Sequence, residues 1–336
     1  MKKTIAITVG DYNGIGPEVS LKTIARSDIR RVCTPVLIGP GEVFERMSSR
    51  LHLGLRFHPY SASTPAGTSI AVLEPSVSVP VSIRPGVLSA RAGAAAGAAI
   101  KDAVRFVCSG EADGMVTAPV SKLAMNLAGF KTPGQTELLQ RLTHAPHVAM
   151  MLVHDRLRVG LVTIHLPLRQ VAQKLTAELL RVRISVIRDA LRQDWKIPRP
   201  RLAVLALNPH AGEGGDLGHE EQRIIVPVVL SLRKQGMSLD GPFPADSFFA
   251  RYRPGSYDAV VAMYHDQGLI PLKMSAGGTA VNVSVGLPIV RTSPDHGTAF
   301  DIARREIAGA TSMVEAVKLA VIIARNRSGK RKTGTR

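Results

Sequence analysis

Three of the ten histidines in this 336-residue chain stand in short segments rich in turn-forming and polar residues. The segments are His165-Leu166-Pro167, Asn208-Pro209-His210-Ala211-Gly212-Glu213 and Tyr264-His265-Asp266-Gln267-Gly268. Neutral imidazole binds zinc and related divalent ions, and a catalytic metal site commonly uses three protein ligands and keeps one position open. Glu213 and Asp266, in the same segments, are of the right type to orient the rings by a further hydrogen bond. Spacings of 45 and 55 residues make no local metal motif. The residues alone therefore leave two readings: a three-histidine metal site, or three unrelated hydrogen-bonded or surface histidines. The other seven, His52, His58, His144, His147, His154, His219 and His296, read as ordinary, although His296 lies in the glycine-containing turn "SPDHGTAFDIA".

A second set of residues suits anions. The stretch "LKMSAGGTAVNVSVGLPIVRT" supplies Lys273, Asn282 and Arg291. Lysine and arginine neutralise phosphates and carboxylates, arginine through a bidentate fork. Thr136 in "GQTELL" falls at an expected helix start, where backbone N–H groups favour negative charge. Gly297 and Thr298 precede an apolar-periodic run; an ordinary capped helix is the expectation there, with a phosphate-binding helix N-terminus as the alternative. Near the start, "TIAITVGDYNGIGPEVSLKTIA" runs a strand into a glycine turn and a helix. Its G-x-x-x-G-x-G spacing differs from the G-x-G-x-x-G dinucleotide fingerprint.

These residues need elements to hold them. Apolar runs predict strands at 4–9, 35–39, 114–117, 149–153, 159–164, 202–207 and 259–263. Helical periodicity predicts helices at 17–26, 93–108, 121–128, 136–142, 176–192, 220–234, 298–307 and 312–325. Strands alternating with helices imply an α/β protein with a mostly parallel sheet. The Ala/Gly-rich "SARAGAAAGAAIKDA" reads as a tightly packed helix. "GDYNGIGPE", "TAPVSK", "TIHLPL", "LNPHAGEGGD" and "MYHDQGLIP" each follow a predicted strand. Ligands of open α/β sheets bind at the carboxyl ends of strands, so these loops are expected to converge.

Composition fits a soluble globular chain, with 45% hydrophobic and 21% charged residues,. No apolar run approaches the roughly 18 residues of a membrane span. Asp11 interrupts the first apolar run too early for a signal peptide, so the start reads as a strand and the protein as cytoplasmic. Cys33 and Cys108 read as two buried thiols. The net charge of +17 raises the possibility of nucleic acid. Six of the cations lie in the terminal "RNRSGKRKTGTR", which reads as a basic flexible tail over 326–336, and aromatics are only 4%. Stacking platforms for single strands are thus scarce, and a basic protein equally suits a phosphorylated substrate.

Taken together, "GDYNGIGPEV", "TAPVSKLAMNLAGF", "GQTELL", "TIHLPLRQV", "LNPHAGEGG", "GPFPADSFF", "YDAVVAMYHDQGLIPLK" and "AVNVSVGLPIVRTSPDHGTAFDIA" resemble one family over nearly the whole chain. It is the 4-hydroxythreonine-4-phosphate dehydrogenase family of vitamin B6 synthesis, with relatives acting on four-carbon sugar-acid phosphates. The resemblance implies a two-lobe α/β/α architecture of the isocitrate and isopropylmalate dehydrogenase type, with the active-site cleft between lobes. The expected lobes are about 1–130 plus 295–325, and about 131–294. It implies a homodimer with shared active sites, a phosphorylated four-carbon acid substrate, NAD or NADP, and one divalent metal ion (Zn, Mg or Co). By position, His165, His210 and His265 become the metal ligands, supplied by both subunits. Gln135, Thr136, Lys273, Asn282 and Arg291 become substrate-binding residues. Asp295, His296, Gly297 and Thr298 line the cofactor, and Lys122, Asp246 and Asp266 become candidates for proton transfer. The implied reaction is oxidation of the C3 hydroxyl of 4-phosphooxy-L-threonine, then decarboxylation to 3-amino-2-oxopropyl phosphate. Dehydrogenation of 4-phospho-D-threonate or 4-phospho-D-erythronate is the alternative. Behind it stand oxidation of a cyclic cis-diol carboxylate and a non-enzymatic nucleic-acid-binding role.

The chain departs from the family pattern at several places. Gln135 stands where histidine is usual, Tyr12-Asn13 where Pro-Ala is usual, and Ser121 where asparagine is common. Arg304-Arg305-Glu306 replaces a Gly-Lys-Gly type of turn. Glutamine donates a hydrogen bond but carries no charge, and an arginine at 304 suits the extra phosphate of NADP or faces solvent.

Overall fold

The apolar run Ile5-Ala6-Ile7 has no exposed surface, as a strand covered on both faces by helices must. It lies in the first of two compact units, Met1–His144 with Pro288–Arg336, the second being Ala145–Leu287. The computed structural model describes residues 2–62, 69–77, 80–132 and 134–328.

The strands of the first unit are β1 (Lys3–Thr8), β2 (Cys33–Ile38), β3 (Phe57–Pro59), β4 (Ile70–Leu73) and β5 (Gly114–Val116), with β12 (Arg291–Pro294) on the chain's return. Their order is β3-β4-β2-β1-β5-β12, and every pairing is parallel. The Ala/Gly-rich stretch forms the helix Ala90–Cys108 as expected. Gly93 lies against the backbone of Ala124 and Gly97 against the ring of Phe130, with no room at either for a Cβ. Small residues thus let this helix approach the neighbouring helix Lys122–Leu127 closely,.

The second unit holds β6 (Ala149–His154), β7 (Leu157–Leu161), β8 (Arg201–Leu205), β9 (Ser238–Phe243), β10 (Ala259–Ala262) and β11 (Val281–Val285), in the order β11-β6-β7-β10-β8-β9. The pairs β11–β6 and β6–β7 are antiparallel and the rest parallel. Its core gathers Leu152, Val159, Leu161, Leu205, Val260 and Leu272.

Several expectations are corrected. No helix forms over 298–307; the segment is a series of turns with Ala299 and Glu306 in the left-handed region. Its backbone is engaged elsewhere, since the Thr298 carbonyl accepts from Ile15 N at 3.0 Å. The segment after β10, read as a loop, is the helix His265–Ala276. β3, β4, β9, β11 and β12 escaped the strand assignment; β11 and β12 carry polar residues inward, such as Ser284 and Arg291, which break the apolar run. Cys33 is buried, but Cys108, at the end of its helix, is exposed. Residues 326–328, assigned to the tail, continue the helix Thr311–Ser328, and 329–336 lie outside the described residues. Among those described, no helix is long and apolar enough to cross a membrane.

Candidate functional site

His165 and His265 are brought together by register. β7 and β10 run parallel, and their pairing continues past both strand ends. Val162 N donates to Ala262 O at 2.9 Å, while Thr163 N and Oγ1 donate to Met263 O at 3.1 and 2.7 Å. Each histidine follows two residues after that last pair. Their ring centroids are 6.1 Å apart, and both line a cavity of about 440 Å³ with Ile164, Leu166, Tyr264 and Asp266. His265 Nδ1 meets Asp266 Oδ1 at 2.6 Å, the carboxylate contact that orients a ligating ring.

His210 follows β8, on the other side of β10. Its turn, Pro209–Gly215, holds His210, Ala211 and Glu213 in left-handed conformation. Glu221, 3% exposed, anchors the entry to that turn. Its Oε1 accepts from Leu207 N and Asn208 N, both at 2.8 Å, and its Oε2 from Asn208 Nδ2 at 2.9 Å. The side chain of Gln267 ties the neighbouring strand ends, accepting from Met263 N at 2.7 Å and donating to Ala206 O at 2.5 Å. Sequence reasoning passed over Glu221 and Gln267; nothing local marks a carboxylate in a helix or an amide beside a histidine as a turn anchor. Asp246 lies in the first turn of the short helix Ala245–Ala250. The backbone N–H of Ser247 is the main cause holding its carboxyl below the usual range, with a smaller contribution from His210.

The three imidazoles thus follow three adjacent parallel strands, and their donor chemistry suits a divalent ion. Within one chain, among the described residues, no group of three or more His, Cys, Asp or Glu side chains closes into a metal-binding cluster. Lys273 lies eight residues along the helix that His265 begins, roughly 12 Å away by helical rise. Asn282 sits on β11, its Oδ1 buried and without a hydrogen-bond partner among the described residues.

The first unit assembles an anion-friendly group. Arg291, at the start of β12, is 2% exposed. Its Nε and Nη2 donate to Thr117 Oγ1 at 3.1 and 2.7 Å, and Nη2 donates to Gln135 Oε1 at 2.9 Å. Burial pushes its pKa down to about 10, so it stays cationic at neutral pH. Thr136 is buried beside Gln135 at the start of the helix Gln135–Thr143. Lys122 begins the helix capped by Ser121, whose Oγ accepts from Ala124 N at 3.2 Å. Serine and asparagine are interchangeable as N-caps, which accounts for the departure at 121.

Asp295, His296, Gly297 and Thr298 stand in the turn after β12. Thr298 packs against the opening glycine loop, where a Cβ on Gly14 would lie 2.7 Å from the Thr298 carbonyl oxygen. His296 Nε2 is buried without a partner among the described residues, and Gly297 faces open space. An orphaned ring nitrogen beside an open glycine fits a turn that receives a ligand, although not as a helix N-terminus. Asp11, buried beneath the same loop, has its pKa raised to about 6, chiefly by desolvation.

The sequence profile of the family described as "Pyridoxal phosphate biosynthetic protein PdxA" matches residues 31–320. The chain is 41% identical over 327 residues to the 4-hydroxythreonine-4-phosphate dehydrogenase of Desulforapulum autotrophicum, covering 96% of this chain and 95% of the relative. It is 40% identical over 334 residues to a Bradyrhizobium diazoefficiens protein named "Putative D-threonate 4-phosphate dehydrogenase", covering 94% and 95%. The crystal structure of 4-hydroxythreonine-4-phosphate dehydrogenase from Klebsiella pneumoniae superposes with a TM-score of 0.86 at 40% identity, covering 96% of this chain and all of that one.

Proposed function

The chain belongs to the PdxA family of pyridoxal phosphate biosynthetic proteins, and from that premise we propose that it oxidises the C3 hydroxyl of 4-phosphooxy-L-threonine with NAD or NADP. The β-keto acid formed then loses carbon dioxide to give 3-amino-2-oxopropyl phosphate. The observation that carries this reading is the placement of His165, His210 and His265 after three adjacent parallel strands, two of them in ring contact range.

In this reading the three histidines hold one divalent ion, with a second copy of the chain completing the ligand set in a homodimer. When bound, the ion held by these histidines would supply Lewis acidity, and the nicotinamide would supply the hydride acceptor. Arg291 and Thr136 bind an anionic group of the substrate, and Lys273 and Asn282 bind its remaining polar groups. The buried cation of Arg291 gains most from such a partner, because a charge taken out of water is stabilised strongly by an opposite charge. Asp266 holds the His265 ring in place, and Lys122 or Asp246 moves the proton. Asp295, His296, Gly297 and Thr298 receive the cofactor. The two α/β units correspond to the lobes of the isocitrate and isopropylmalate dehydrogenase type, and the enzyme works in the cytoplasm.

One observation favours the sugar-acid alternative. A guanidinium only donates, so the Gln135 atom facing Arg291 is the carbonyl oxygen, and Nε2 is left to donate to substrate,. A donor suits a hydroxyl or carboxylate and opposes an ammonium, so 4-phospho-D-threonate or 4-phospho-D-erythronate fits this position well. The test is cofactor reduction with purified protein, offering 4-phosphooxy-L-threonine and both sugar-acid phosphates, with and without a chelator. Metal-dependent turnover of the first supports the vitamin B6 reading. Turnover of only the sugar-acid phosphates supports the alternative, and silence on all three overturns both.

A further inference from the structure

Tyr12-Asn13 and Arg304, far apart in sequence, meet in one place. Asn13, fully buried, ties the opening glycine loop to the segment 82–87. Its Oδ1 accepts from Arg84 N at 2.7 Å, its Nδ2 donates to Val87 O at 2.8 Å, and its carbonyl accepts from Gly86 N at 2.7 Å. Tyr12, 1% exposed, adds a longer contact, its hydroxyl accepting from Ser82 N at 3.4 Å. The segment so held presents the Pro85 carbonyl to Arg304, whose Nε donates to it at 2.8 Å. Gly86 packs under the same turn, where a Cβ would lie 2.8 Å from the Phe300 carbonyl oxygen.

This arrangement fixes an arginine by its inner nitrogen and spares its outer two. Among the described residues, Nη1 and Nη2 of Arg304 have no hydrogen-bond or ion-pair partner, and the side chain is exposed. The nearby carboxylate of Glu306 is taken, since its Oε1 accepts from Arg50 Nε at 2.8 Å. Arg305 follows on the same turn and is exposed too. A pinned guanidinium with a free two-nitrogen edge is the arrangement that grips a phosphate monoester in bidentate fashion.

We infer that Arg304, positioned by Asn13 through Pro85, selects the 2′-phosphate of NADP over the free ribose hydroxyl of NAD. The inference rests on the dehydrogenase reading and on the turn at 295–298 as the cofactor's seat. Asn13 acts only as a positioning residue, because its polar atoms are spent on the segment 82–87.

The test reads binding and turnover separately. Calorimetric titration with adenosine 2′,5′-bisphosphate and with 5′-AMP is expected to give at least a tenfold preference for the bisphosphate in the native protein. Arg304→Gln should bring that ratio close to one, and Arg304→Lys should recover part of it. Asn13→Ala should lower the ratio while Arg304 is still present, which a purely structural role for Asn13 would not do. The kcat/KM ratio for NADP over NAD should fall in the same order. A native ratio near one, or a ratio that Arg304→Gln leaves in place, overturns the inference while NAD-dependent turnover keeps the dehydrogenase reading intact. Absence of binding by both probes together with absence of turnover overturns that reading and the inference with it.

Discussion

Asp11 is a carboxyl held in the interior with half of its hydrogen-bonding capacity unmet. It is fully buried, Asn13 N donates to its Oδ1 at 3.0 Å, and its Oδ2 has no partner among the described residues. Desolvation lifts its pKa from 3.8 to about 6, against the lowering effect of the Asn13 and Gly14 backbone N–H groups. A folded-state pKa above the unfolded value means that the native state holds the proton more tightly. Its contribution to stability is therefore full below about pH 4 and is lost as pH rises to about 6. The change is about 3 kcal/mol on the usual conversion of pKa shifts. Urea denaturation of native protein and Asp11→Asn at pH 4.5 and 7.5 should show the variant gaining relative stability at the higher pH; an equal difference at both would mean that Asp11 is not protonated in the fold. Arg291 carries the complementary risk of a buried cation. Arg291→Ala should raise the KM for a phosphorylated substrate by about ten- to hundred-fold, the worth of one or two charged hydrogen bonds. An unchanged KM would remove Arg291 from the site. The sequence marked Arg291 as an anion-binding type, but only packing revealed that Thr117 and Gln135 hold it in the interior.

At the level of elements, strand ends do the positioning. β7 and β10 deliver His165 and His265 in matched register because Thr163 and Met263 pair beyond the strands. The turn carrying His210 is anchored by Glu221, which accepts from two backbone N–H groups and the Asn208 amide. Glu221→Gln removes the charge from this buried cap and should cost about 1–3 kcal/mol. Thermal denaturation would show that loss, and metal titration should show weaker affinity in the same variant. A stability loss with native metal affinity would mean that His210 does not depend on this turn for its role. The absent helix at 298–307 shows where element prediction stops. Its periodicity is helical, yet Ala299 takes a left-handed conformation, the Thr298 carbonyl is claimed by Ile15, and Arg304 reaches back to Pro85. Tertiary hydrogen bonds replaced the local ones that a helix would have made.

For the whole molecule, the proposed metal site makes assembly a measurable question, since among the described residues no three His, Cys, Asp or Glu side chains close into a cluster within one chain. If two copies complete the site, light scattering should report a dimer, and dilution that separates the copies should lose bound metal and turnover together. A monomer that keeps both would place all the ligands in one chain. What the sequence determined by itself was the α/β class, the central strands of each unit, the tightly packed Ala/Gly helix and three histidines placed shortly after strands. Those signals are local: an apolar run must be buried, small residues permit close approach, and ordered motifs carry the family likeness. What only the tertiary structure decided were the strands β3, β4, β9, β11 and β12, the helix beginning at His265, the exposure of Cys108, the turns at 298–307, and the partners of Arg291, Asn13 and Glu221. Each depends on contacts between residues far apart in the chain, where the cost of burying a polar or charged group is met by a partner that no local pattern names.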